Sequence, residues 1–273
     1  MLCRVLKVSR SGYYYQTKNS SNRIQKDSAD LAIIKKHFTL SRGKAGIITL
    51  EMILRRHGHH INHKKIARIK REYNLVTKIR RKRPYKGIQL NSKVHPQIPN
   101  LLKRDFIQPI PDQAYSTDMT YLFYGACQKA YLSATKDLCT NEIVSYKLMK
   151  SPALSVFTDE FKVLLGKIPQ TKRENLIIHS DQGYQYTHQE FIKVLKDAGV
   201  KQSMSRRGNC LDNAPIETFF GHFKDLAEIK KCKTYEEVEA EVDSVMNYYN
   251  YERPQRGLNK KPPAECRELL ESF

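Results

Sequence analysis

The stretch AYSTDMTYLFY, residues 114–124, sets Asp118 inside a run of β-branched and aromatic residues that otherwise reads as a strand. A carboxylate there is costly to bury unpaired, so it needs a reason. Two more β-rich runs follow after short polar breaks, KAYLSATKDL (129–138) and EIVSYKLMK (142–150), and the three together predict a meander. A helical pattern comes next, roughly 152–166, and then NLIIHSDQG (175–183), a buried strand closing on a Gly turn. THQEFIKVLKDAG (187–199) predicts a helix with Thr187 and Glu190 as capping box and Gly199 as stop. VKQSMS is a short strand. DNAPIETFFGHFK (212–224) then opens a helix at Pro215, with Asp212 and Asn213 available as caps. Thr234 and Glu237 cap the last long helix, whose stripe is Val238, Val242, Val245, Met246 and Tyr249. Three strands, helix, strand, helix, strand, helices is an α/β pattern with a mixed sheet.

The residues before this sheet differ in kind. Residues 1–105 hold 26 Lys and Arg against 5 Asp and Glu, while the rest of the chain holds 22 against 23. The whole formal charge of +20 therefore lies in the first part, which points that part to a polyanion such as nucleic acid or an anionic membrane. Ser9 and Gly12 mark a turn after a short apolar piece. AGIITLEMILRRHG places Ile47, Leu50, Ile53 and Leu54 at helical spacing and stops at Gly58; Asn62 then caps HKKIARIKREYN, with Ile66, Ile69 and Tyr73 on one stripe. Helix, tight joint, basic helix is the outline of a helix-turn-helix, and Lys64, Lys65 and Arg68 are its candidate phosphate contacts. The run KIRRKRPYK (78–86), with Arg80, Arg81, Lys82 and Arg83, reads either as a solvated linker or as an arm along phosphates. Prolines 96, 99, 109 and 111 punctuate the passage that follows. The expected division is a basic helical region, 1–105, and a sheet-containing domain, 106–273.

Six scattered cysteines without a C-x-x-C pair favour reduced thiols over a disulfide framework, and no run approaches the length of a membrane span. A soluble, intracellular protein is expected.

Asp118, Asp181 at the end of its strand, and Glu217 in the first turn of its helix would reach one edge of the sheet. Each alone also fits a turn, cap or helix-terminus role. Together they would repel one another unless a cation neutralised them, and a pair of Mg²⁺ ions suits carboxylate and phosphate oxygens. Two such ions about 3.5–4 Å apart serve in-line phosphoryl displacement.

The segments STDMTY around Asp118, HSDQGYQY around Asp181 and SMSRRGNCLDNAPIETFFGHFK around Glu217 resemble those of bacterial insertion-sequence transposases of the OrfB type, within the superfamily of retroviral integrases. The ending YNYERPQRGLNKKPPAE and the leading CRVLKVSRSGYYY and INHKKIARIKREYNL extend the resemblance over nearly the whole chain. It implies a ribonuclease H-like catalytic domain behind a helix-turn-helix-like basic region. It also implies Asp118, Asp181 and Glu217 as ligands of two Mg²⁺ ions, with Mn²⁺ able to substitute. Lys224 becomes a DNA contact near the scissile phosphate. The implied activity is cleavage and strand transfer of element ends, with water and then a freed 3′-hydroxyl as nucleophile. Double-stranded DNA, a homo-oligomer in synapsis, an upstream-frame DNA-binding module and a nucleoid-associated place in the bacterial cytoplasm follow as expected partners and location. Tyr115 stands where this type often has Trp. The competing reading is a non-catalytic DNA-binding protein occupying element ends.

Lesser signals complete the set. Arg206 and Arg207 are candidate phosphate contacts, and His179 and Asn213 candidate supports of the acids. His57, His59, His60 and His63 cluster without cysteines to complete a zinc site, and read as polar surface.

Overall fold

The computed structural model describes residues 3, 6, 8–79, 98–206 and 210–272. They fall into two compact units, one within 1–79 and one within 80–273.

The first unit is helical. Ser9 begins a helix rather than a turn: its hydroxyl accepts the N–H of Gly12 at 3.1 Å and caps α1 (Arg10–Leu40), so Gly12 lies in a helical first turn. α2 (Ile47–Arg56) ends where Gly58, at φ +80°, turns the chain back. Asn62 then caps α3 (His63–Glu72) as expected, its side-chain oxygen taking the N–H of Lys64 at 2.8 Å. Leu50, Ile53, Leu54, Ile66 and Ile69 bury against Ile34 and Phe38 of α1, while Ile47 and Tyr73 at the stripe ends stay exposed. His57, His60 and His63 are exposed and His59 is half-buried, in keeping with a polar surface. His57 and His59 lie 4.4 and 6.0 Å, ring to ring, from buried His37, which α1 brings beneath them.

The second unit is built on β1 (Ala114–Tyr124), β2 (Gln128–Asp137) and β3 (Ile143–Met149), an antiparallel meander. β4 (Ile177–Ser180) and β5 (Lys201–Met204) extend it in parallel, in the order β3-β2-β1-β4-β5. α4 (Leu154–Gly166) and α5 (Gln189–Asp197) make the crossovers. Their Phe157, Phe161, Phe191 and Leu195 pack with Tyr115, Ile178 and Tyr186 into one core. α6 (Ala214–Leu226) and α7 (Tyr235–Asn247) cover the other face, where Phe219, Phe223, Val238 and Val245 meet Leu122, Leu132 and Leu148. α8 (Pro263–Glu271) closes the chain. The mixed sheet between two helical layers is the expected architecture.

Two local expectations change. The cap of α5 is His188, whose ring nitrogen takes the N–H of Glu190 at 3.3 Å; Thr187 instead donates to the carbonyl of Tyr184. Residues 98–105, expected with the basic region, pack with the sheet unit. The physical reason is Ser203 on β5, whose hydroxyl accepts the N–H groups of Leu101 and Leu102 at 2.9 and 3.3 Å, while Leu102 packs on Ala114 and Leu138. The proline-rich passage is thus partly a strap on the sheet. Among the described residues no helix is long and apolar enough to cross a membrane.

Candidate active site

Side chains alternate along β1, so Ser116, Asp118 and Thr120 all face the layer that contains α6. Met119 donates its N–H to Asp118 Oδ1 at 2.7 Å, fixing the carboxylate against its own strand. Asp181 follows directly on β4, and Oδ1 takes the N–H of Gly183 at 2.8 Å. A β-carbon on Gly183 would stand 2.9 Å from that oxygen and 3.3 Å from the Tyr186 ring, so only glycine lets the turn close this tightly over Asp181. Glu217, an exposed residue partly shielded at its carboxylate, stands in the first turn of α6.

The three acids sense one another. The Asp118 carboxyl is pushed up to about 7, first by burial, then by the charges of Asp181 and Glu217, against the pull of the Met119 N–H and of Lys224. Burial also raises Asp181, with the Gly183 N–H opposing it. Burial and then the Asp181 charge raise Glu217. Among the described residues, no three His, Cys, Asp or Glu side chains are closed into a group that grips an ion as they stand. The donor set itself, three carboxylates from three elements that repel one another, is of the kind a hard divalent cation neutralises.

Lys224, two helical turns after Glu217, is exposed and donates to Thr120 Oγ1 at 2.5 Å, which brings the cation to the strand of Asp118. Asn213 lies at the head of α6 and bridges to β1: its oxygen accepts from Ser116 Oγ at 2.7 Å and its amide donates to the Thr117 carbonyl at 3.3 Å. His179 is fully buried and its Nδ1 bonds Ser203 Oγ at 2.8 Å, so the contact it makes is with β5, not with the Asp181 carboxylate.

Several site features escape the sequence. Asp212 does not cap α6. Its buried carboxylate takes Arg206 Nε at 2.9 Å, the Arg206 N–H at 3.1 Å and Arg104 Nε at 2.6 Å. Arg206 above all holds it far below the usual carboxylate range. Arg206, expected at phosphates, thus clasps the loop before Glu217. Lys136 is buried on β2 with Nζ 3.3 Å from the Pro215 carbonyl, and burial lowers its ammonium to about 8. Tyr186 is buried close enough to feel both Asp118 and Asp181. Only the Gly-turn motif around Asp181 hints at it.

In the helical unit, Lys64 is exposed. Lys65 pairs with Asp27 at 3.1 Å and with Asp30. Both nearer contacts of Arg68 Nη2 are Asp27 oxygens at 2.9 Å, with Glu72 at 2.9 Å from Nη1. These two cations hold α3 to α1. Arg80, Arg81, Lys82, Arg83 and Arg207 lie outside the described residues.

A mixed sheet that gathers carboxylates from β1, the turn after β4 and the helix after β5 defines a ribonuclease H-like integrase core, here preceded by a helical unit. Family models agree: Integrase core domain over residues 108–210 and again over 198–263, and HTH-like domain over 25–83. The chain is 34% identical to the InsK product of insertion sequence element IS150 of Escherichia coli (strain K12), over 97% of this chain and 92% of that one. It is 30% identical to the transposase InsF for insertion sequence IS3A of the same organism, covering 82% of this chain and 77% of InsF. The HTLV-2 integrase catalytic core domain in complex with magnesium is similar at 15% identity and a TM-score of 0.45, over 58% of this chain and 97% of that one. The chain belongs to the transposases of IS3-type insertion sequences.

Proposed function

We propose that this transposase cleaves the ends of its element and joins them to target DNA by metal-dependent, in-line phosphoryl transfer. The observation that carries this reading is the delivery of Asp118, Asp181 and Glu217 from three elements to one place, where burial first, and then the charges of Asp181 and Glu217, push Asp118 up to about 7. Like charges brought together without need would destabilise the fold, so their convergence asks for a cation. The three carboxylates would hold two Mg²⁺ ions, or Mn²⁺, which when bound activate the attacking oxygen and stabilise the leaving one. Asn213 sets the head of α6 against β1, so that Glu217 and Asp118 keep their spacing. Lys224 offers its ammonium to the phosphate backbone beside Asp118. Water, and then the freed 3′-hydroxyl of the DNA, attacks; no side-chain nucleophile is required.

The helical unit would bind double-stranded element ends through its helix-turn-helix-like outline, with Lys64 and the basic run that includes Arg80, Arg81, Lys82 and Arg83 on phosphates. Arg207 would be a further phosphate contact. Two ends in synapsis call for at least a homodimer, acting with an upstream-frame module, in the bacterial cytoplasm at the nucleoid.

The test is a cleavage and joining assay on labelled element-end DNA with Mg²⁺, Mn²⁺ or EDTA. Asp118→Asn, Asp181→Asn and Glu217→Gln should each abolish metal-dependent products while DNA binding persists. Full activity in any one variant removes that residue from the ligand set.

A further inference from the structure

α4 covers the face of the meander that carries Thr117 and Met119, and the same face is bare farther along. Tyr121 and Phe123 on β1 are 60% and 53% exposed. Across the strand pair stand Tyr131, its ring 5.3 Å from that of Tyr121, and Lys129, with Nζ 5.7 Å from the centre of the Phe123 ring. Lys147 is exposed on β3, opposite Ser133. On the outer stretch of this face, from Met119, Ser133 and Lys147 to the hairpin tip, the three strands hold these two lysines and no Asp or Glu; Asp137 lies at the far end of β2, opposite Tyr115. Tyr121 lies three residues beyond Asp118, roughly 10 Å along β1, but on the opposite side of the sheet.

An exposed aromatic cluster is an expense that a solvated face does not need. Close by is the carboxylate of Glu160 on α4, buried against Ser145 and within reach of the Lys147 charge. Exposed rings with exposed lysines beside them match a nucleic-acid strand whose bases are free to stack and whose phosphates lie beside the cations. A duplex keeps its bases stacked on one another and offers the rings nothing. We propose that the outer end of the β1–β2 hairpin is a stacking platform for an unpaired nucleic-acid strand, with Tyr121 and Phe123 taking bases and Lys129 and Lys147 the phosphates. This goes beyond the cleavage reading and does not depend on it, because binding to the platform needs neither metal nor turnover.

The chain contains no Trp, so Phe123→Trp makes a single indole reporter on the platform. In EDTA, with the full chain, oligo-dT should quench that indole, and a blunt duplex of equal length should not. Tyr121→Ala combined with Phe123→Ala should weaken oligo-dT binding by about tenfold or more, with duplex binding unchanged. An indole untouched by saturating oligo-dT, or equal losses for both DNAs, overturns the proposal. So does a shift of the double variant to a smaller species in sedimentation, which would assign the face to a second copy of the chain. Thermal melts matching the parent exclude misfolding as the cause of any loss.

Discussion

Asn213 accepts the hydroxyl proton of Ser116 at 2.7 Å and returns its amide to the Thr117 carbonyl, 97 residues away in sequence from the first partner and 96 from the second. Both side chains are buried, at 2% and 0% exposure. The bridge fastens the head of α6, and with it Glu217, to the strand of Asp118. Removing it leaves a hydroxyl and a carbonyl without their partner in a dry place, at about 1–3 kcal/mol. Asn213→Ala should therefore lower the second unit's stability by that amount. Its loss of cleavage should exceed what the stability change explains, because one misplaced ligand helix disturbs the acidic site. Parent-like activity per folded molecule, measured beside urea melts, would show that the bridge serves the fold alone.

Arg267 on α8 makes a different fastening. It reaches Asp112 at 2.8 Å, Asp137 at 3.0 Å and Glu142, with its own side chain only 16% exposed. Asp112 also takes the hydroxyl of Tyr115 at 2.6 Å, so the tyrosine in the family's usual Trp position is tied into this cluster. Arg267→Met would strand buried carboxylates and should cost about 3–5 kcal/mol. Arg267→Lys should recover only part of it, since a single ammonium cannot span three acids as a guanidinium fork does. Urea melts of both variants decide this, and a near-neutral Arg267→Met would show the cluster to be solvated.

The three acids proposed as ligands stand out in the sequence because each sits in an unusual local place. Asp118 interrupts an apolar strand, Asp181 closes one before a Gly turn, and Glu217 follows a helix-starting Pro. The meander, the crossovers and the Asn62 cap were readable for the same reason: their signals lie within one helical turn or one strand. What the sequence hides is the choice of partner at a distance. Arg68 finds Asp27 41 residues away, and Arg104 finds Asp212 108 residues away. No periodicity links such pairs; packing does. Asp212 had the local chemistry of a helix cap, but charge-assisted bonds from two guanidiniums outcompete a backbone N–H.

The Asp212 clasp has a pH signature. Its carboxyl lies below the ordinary value because Arg206, and then Arg104, bind the charged form. A depressed folded pKa gives stability that is present above the unfolded value of about 3.9 and lost as pH falls through the folded one. Asp212→Asn should thus cost about 1–3 kcal/mol at neutral pH. The gap between variant and parent should close as both are taken to strongly acid pH. A gap that stayed constant across the range would mean that shape, not charge, makes the clasp.

The acidic site should display the opposite balance. Without a cation, Asp118 is half-buried among like charges, so Asp118→Asn removes a repulsion and should stabilise the metal-free chain. A gain of about 1 kcal/mol would raise Tm by roughly 2–4 °C in a domain of this size. Mg²⁺ should then raise the parent's Tm by binding the folded state, and raise that of Asp118→Asn much less. Scans of both proteins in EDTA and in excess Mg²⁺ give four midpoints. A variant that melts below the parent in EDTA would mean that the Asp118 hydrogen bond to Met119 outweighs the repulsion. A Mg²⁺ response equal in both proteins would place the ion elsewhere, and Asp118 would lose its place among the ligands.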